Sequence, residues 1–211
     1  MSLNIRKGDM YKFIDFTWNP IKGKCLHDCS YCYMKQINPN ANLPRLAEHE
    51  LNTYLGYGRS IFIGSSTDMF AENIPSEWIK RVLDYCYQNL EFINHPLMKR
   101  VVFCTTIETN RFYPEIMNNA PKIGERVEAM EEIARLGRST MVTAEPLMQF
   151  DHEEMVSFIR KCKPKLVNIG RNSCRRTVLP EPAQEEVRLL IAELESFTKV
   201  NVKDNALEWC K

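Results

Sequence analysis

Cys25, Cys29 and Cys32 place three thiols within eight residues, spaced Cys-x3-Cys-x2-Cys, with Tyr31 directly before the third. Thiolates are soft ligands that take zinc or iron–sulfur clusters, and three of them are one short of a closed tetrahedral set. A cubane iron–sulfur cluster held by three cysteines keeps one iron without a protein ligand, an open position for a substrate or cofactor. The alternative is a structural zinc site completed by His27, by another cysteine or by a distant histidine.

The other five cysteines, Cys86, Cys104, Cys162, Cys174 and Cys210, are scattered singly, as buried apolar thiols usually are. No local spacing supports a second cluster built from Cys162, Cys174 and Cys210, although Cys174 falls near a strand end. Eight cysteines in a chain that begins without a signal-peptide pattern suggest metal binding or reduced thiols rather than a disulfide framework, hence a cytoplasmic protein. No segment approaches the roughly 20 apolar residues of a membrane span. With 28 Lys and Arg against 27 Asp and Glu, no overall field draws the chain to nucleic acid or anionic lipid.

The elements that must hold these residues read as alternating strands and helices in one domain over 1–211. Strands are expected at Tyr11 to Thr17, Ser60 to Gly64, Val101 to Ile107, Thr140 to Ala144, Lys165 to Gly170 and Thr198 to Val202. Helix starts are expected at Ser76, at Asp151 with Glu154 three residues on, and after Pro182. Such alternation requires right-handed crossovers and a mainly parallel sheet, either doubly wound or curled into a full or partial barrel, with chemistry at the C-terminal strand ends. Polar residues do collect there, in Gly64-Ser65-Ser66-Thr67-Asp68, Thr106-Ile107-Glu108-Thr109-Asn110, Thr143-Ala144-Glu145-Pro146 and Asn168-Ile169-Gly170-Arg171-Asn172. The cysteine loop follows the first strand and opens onto the same rim. From Ser76 to Arg100 helix runs into helix, jointed at Asn94-His95-Pro96, and one βα unit is missing.

Cys25, Cys29, Tyr31 and Cys32 match the signature of the radical S-adenosylmethionine superfamily. Thr17-Trp18-Asn19-Pro20 and the strand ends, including Ala144-Glu145-Pro146-Leu147, resemble a small, phage- and bacteria-associated branch of it that has no assigned substrate. The resemblance runs from about residue 11 to residue 205 and implies a partial (β/α) barrel. It departs near Gln88-Asn89-Leu90, where the branch would end a strand in a Thr-Lys-Asn-Pro-like turn. Either a strand is lost or an internal stretch is omitted.

The resemblance implies that Cys25, Cys29 and Cys32 hold a [4Fe-4S] cluster whose fourth iron chelates S-adenosylmethionine. Reductive cleavage would then give a 5′-deoxyadenosyl radical that abstracts hydrogen from a substrate, a small molecule or a nucleotide or nucleic acid. A one-electron donor such as flavodoxin or ferredoxin is implied as partner. Tyr31 would lie near the adenine, and Gly64, Ser65 and Ser66, in place of the usual Gly-Gly-Glu, would accept from the methionyl ammonium through carbonyls or hydroxyls. Thr106 and Glu108 share one strand face, and Glu108 or Glu145 would suit ribose hydroxyls or the sulfonium, unless each makes a structural ion pair. Asn168 and Gly170 would face the adenine. Arg171, Arg175 and Arg176 could hold an anionic substrate or form a solvated loop, and Lys203-Asp204-Asn205 is a further substrate contact. A zinc-stabilised binding module and an iron–sulfur electron carrier are the readings from other classes.

Overall fold

The computed structural model describes residues 3–8, 10–90, 101–174 and 176–210. The chain divides into two compact units, Met1–Asp28 with Met34–Leu97, and Cys29–Tyr33 with Met98–Lys211. Among the described residues no helix is long and apolar enough to cross a membrane.

The first unit contains β1 (Asn4–Ile5), β2 (Phe16–Trp18), β3 (Ile21–Lys22), α1 (Met34–Ile37), β4 (Arg45–Leu46), β5 (Ile61–Ile63) and α2 (Ser76–Leu90). β2 pairs in parallel with β5 and antiparallel with β1, while β3 and β4 form a separate antiparallel pair. The strand expected from Tyr11 is shorter than its apolar run suggests. Ile14 N–H turns back to the Tyr11 carbonyl at 3.0 Å, and the Asp15 carboxylate takes the backbone N–H and hydroxyl of Ser60, both at 2.8 Å, so ladder pairing with β5 begins only at Phe16. Trp18, Ile21, Leu55, Met69 and Ile74 form the core, closed by Val82 and Cys86 of α2. Trp78, Ile79, Val82 and Cys86 recur at helical spacing, which is why α2 starts where the sequence predicts. Gln88, Asn89 and Leu90 end that helix rather than a strand. The expected joint at Asn94-His95-Pro96 lies outside the described residues.

The second unit contains β6 (Val102–Thr106), α3 (Pro114–Met117), α4 (Ile123–Arg135), β7 (Ser139–Ala144), α5 (His152–Lys161), β8 (Leu166–Ile169), α6 (Gln184–Glu195) and β9 (Lys199–Val202). Its four strands are all parallel and lie in sequence order. α4 packs beside α5 and α5 beside α6. The strand faces follow the two-residue period. Val142, Ala144, Val167 and Ile169 join Val127, Met130, Val156, Ile159, Val187 and Leu190 of the three helices in one core.

The opposite face is polar at its centre. Thr106 pairs with Thr143, Thr143 with Asn168, and Asn168 with Asn201, so one row of the sheet carries two threonines and two asparagines. Helix starts at α5 and α6 also fall where expected, but Asp151 makes no side-chain cap. Its carboxylate is drawn to Arg111 at 2.7 Å instead, because a charge-assisted bidentate pair outcompetes a backbone N–H. At α6 the Glu186 carboxylate accepts from Ala183 N–H at 2.8 Å, half of a capping box.

Candidate functional site

In the first unit the approach to the cysteines is fixed by backbone geometry. Gly23 has φ +130, and a Cβ there would lie 2.5 Å from the Leu43 carbonyl oxygen, so only glycine permits the chain to enter this loop. Lys24 N–H donates to Asn42 O at 2.7 Å, and Cys25 follows with its thiol free and part-exposed. The turn after β5 is tied to the same segment. Asn19 Oδ1 accepts from Ser66 N–H at 3.0 Å, its Nδ2 donates to Ser65 Oγ at 3.0 Å, and the buried Thr67 hydroxyl donates to Gly23 O at 2.7 Å. Gly64, Ser65 and Ser66 are therefore held against the chain that leads into the cysteines. His27 Nδ1 stands 3.5 Å from Asp68 Oδ2 of that turn.

In the second unit Cys29 to Tyr33 is tied by hydrogen bonds to α3, to the loop after β8 and to the end of β6. Ser30 N–H donates to Ile116 O at 2.8 Å, Thr177 Oγ1 donates to Ser30 O at 2.9 Å, and the Tyr31 hydroxyl donates to Glu108 Oε1 at 2.7 Å. Cys32 N–H closes a turn onto Cys29 O at 3.1 Å. Glu108, fully buried just beyond β6, also receives Arg126 Nη1 at Oε2, 2.8 Å, and Nη2 at Oε1, 3.3 Å. Arg126 further donates to the carbonyls of Thr106 at 2.9 Å and Pro121 at 2.8 Å.

The electrostatics follow from this burial. Loss of solvent pushes the Cys29 thiol up to about 11, opposed by a hydrogen bond with Tyr31 and aided by the Glu108 charge. Burial and the same carboxylate hold the Tyr31 phenol well above its ordinary range. Burial works against the Arg126 cation, but Glu108 outweighs it and the guanidinium is held more firmly protonated.

Two residues beyond the polar row of the sheet come Glu145 after β7, Gly170 after β8 and Lys203 after β9. Lys203 Nζ donates to Glu145 Oε1 at 2.5 Å, with both side chains largely buried. Asn168 is fully buried; its Oδ1 accepts from Asn201 Nδ2 at 2.8 Å, while its own Nδ2 has no hydrogen-bond partner among the described residues.

Of the three arginines expected either to hold an anionic substrate or to form a solvated loop, two are described. Arg171 pairs with Glu181, approaches Glu208 at 3.5 Å and lies over the Trp209 ring, whereas Arg176 is exposed and Arg175 lies outside the described residues. Cys174 is buried, with its sulfur 3.6 Å from Thr177 Oγ1. Asn205 exchanges hydrogen bonds with the Arg171 backbone at 3.1 and 3.3 Å. A groove of about 820 Å³ lies away from these residues, beside Arg111, Asp151, Glu154 and Lys161, and its acids Asp151 and Glu154 are engaged by Arg111 and Asn110.

Among the described residues no group of three or more His, Cys, Asp or Glu side chains is arranged to hold a metal ion. Arg126 was not expected from the sequence. Its signal is its place on α4, three residues after the buried Ile123 and four before the buried Met130, where a cation needs a partner. No protein-family model, curated protein or solved structure matches the chain.

Proposed function

We propose that the chain is a radical S-adenosylmethionine enzyme in which Cys25, Cys29 and Cys32 hold a [4Fe-4S] cluster. The observation that carries the reading is the Cys-x3-Cys-x2-Cys run with Tyr31 before its last member, none of the three cysteines being in a disulfide. When bound, cluster and S-adenosylmethionine supply one-electron cleavage of a sulfonium bond and hydrogen abstraction from a substrate.

The residue types present, rather than their arrangement in this structure, suit such a group. Three part-exposed thiolates suit iron–sulfur ligation, and cluster binding would remove the proton that burial now favours on Cys29. The buried Asn168 Nδ2 is an uncommitted donor suited to an acceptor such as a purine ring nitrogen. Gly64, Ser65 and Ser66 would offer acceptors to an ammonium, and Thr106 and Tyr31 would border the nucleoside. Glu145 keeps some exposed surface and Glu108 none, so Glu145 is the carboxylate that would face the ligand, with Gly170 acting by giving it room. Sequential strand order with three helices packed in succession supports a partial barrel over a doubly wound sheet, which reverses order at a switch point. Flavodoxin or ferredoxin would serve as electron donor, and the substrate would be a small molecule or a nucleotide or nucleic acid.

Anaerobic reconstitution with iron and sulfide, then dithionite and S-adenosylmethionine, tests the reading. The expected result is a cubane cluster and released 5′-deoxyadenosine, both lost when the three cysteines become alanine. Zinc uptake without iron would identify a structural module. A cluster that never yields 5′-deoxyadenosine would identify an electron carrier.

A further inference from the structure

We infer that Arg126 is a positioning residue for the cysteine loop, acting through Glu108 on Tyr31. The part of this inference that concerns cluster retention rests on the function proposed above.

Tyr31 lies between Cys29 and Cys32, and its hydroxyl is a side-chain tie from the loop to the sheet rim, 2.7 Å from Glu108 Oε1. The other two anchors use the backbone of Ser30 and fix where the loop passes, but not how the segment between the thiols is turned. Glu108 can hold a phenol in one place only if its own carboxylate cannot rotate. Arg126 supplies that constraint by engaging both carboxylate oxygens, and is itself immobilised by the carbonyls of Thr106 and Pro121. A planar guanidinium with four of its donor contacts fixed orients a carboxylate far better than a single ammonium does. Because Tyr31 sits directly between Cys29 and Cys32, fixing its phenol on Glu108 fixes the turn of the segment that carries both thiols. Glu108 at the centre of the network is fully buried and the Arg126 side chain largely so, and in such surroundings a hydrogen bond to a charged group is strengthened.

The test compares wild type with Tyr31→Phe, Arg126→Gln and Arg126→Lys by hydrogen exchange on the metal-free full chain and by iron retention after anaerobic reconstitution. In Tyr31→Phe and Arg126→Gln the peptide holding Cys29 to Tyr33 should exchange about tenfold faster, as loss of one charge-assisted bond predicts. The β7 peptide should be unchanged, and Arg126→Lys should fall between. Both disruptive variants should also lose iron faster than wild type on desalting, with Arg126→Lys partly restoring it. If Arg126→Gln loosens β7 as well, Tyr31→Phe decides. Unchanged loop exchange in Tyr31→Phe overturns the inference, and so does iron held as firmly in both variants as in wild type. A wild-type chain that takes up no iron overturns the proposed function, while the exchange result still decides whether Arg126 positions the loop.

Discussion

Gly170 lies directly beneath Glu145: a Cβ on Gly170 would stand 2.9 Å from both Cγ and Cδ of that side chain. Glu145 follows β7 and Lys203 follows β9, with Gly170 between them at the end of β8, so their ion pair crosses over a strand that has no side chain at that position. The glycine is required by its neighbour's side chain rather than by its own backbone.

Gly170→Ala should therefore displace the Glu145 carboxylate and leave the Lys203 ammonium buried without its partner. Removing one member of a buried pair costs roughly 3–5 kcal/mol. Glu145→Gln should destabilise to a similar degree, and the double variant should fall well short of the sum, because both changes remove one interaction. Urea unfolding of the three variants at neutral pH measures this, and additive losses would mean that the glycine serves something other than the pair.

Arg126→Gln strands the Glu108 carboxylate, which has no exposed surface, and should likewise cost about 3–5 kcal/mol. Adding Glu108→Gln removes the stranded charge and should recover a large part of that loss. A double variant no more stable than Arg126→Gln alone would show that packing of the guanidinium stem, not the charge pair, is what matters.

Glu50 of the first unit is buried beside Lys22, whose ammonium lies 2.6 Å away. Burial alone would raise its pKa, but Lys22 and the Thr53 hydroxyl outweigh it and hold the carboxyl below the ordinary 4.5. A depressed carboxyl contributes stability that is complete above the unfolded value and is lost as pH falls through the folded one. Thermal unfolding from neutral pH downward should show wild type losing stability below about pH 4.5, with Glu50→Gln starting lower and declining less. Parallel declines would remove Glu50 as a source of acid sensitivity.

Burial pushes the thiols of Cys86 and Cys162 up to about 12, while Cys210 is exposed. Brief alkylation of the folded chain at mildly alkaline pH should mark Cys210 and spare the two buried thiols, since the thiolate is the reactive form. For an acid whose folded pKa is raised, stability is intact below the unfolded value of 9.0 and falls as pH rises above it. Unfolding midpoints that stay level well above pH 9 would contradict this burial effect.

Much of the fold was legible because it is written in local period. The runs at Ser60, Val101, Thr140, Lys165 and Thr198 are strands within a residue or two, and α2, α5 and α6 begin where their apolar stripes begin. The run from Tyr11 misled because its apolar residues serve a turn, and only Ser60, 45 residues away, draws Asp15 out of strand geometry. The cap expected of Asp151 failed for a similar reason, a competing arginine 40 residues earlier in the chain.

For the site, the sequence by itself determined the three closely spaced thiols and the polar residues at each strand end, because ligand spacing and strand parity are properties of a few consecutive residues. Tertiary structure alone decided what those side chains do to one another. Glu108 meets Tyr31 and Arg126, Glu145 meets Lys203 over Gly170, and Arg171 pairs with Glu181. These pairings depend on strand register and on the rotation of α4 against the sheet. Buried charge must find a counter-charge wherever packing brings one within reach, and no local pattern specifies which one that is.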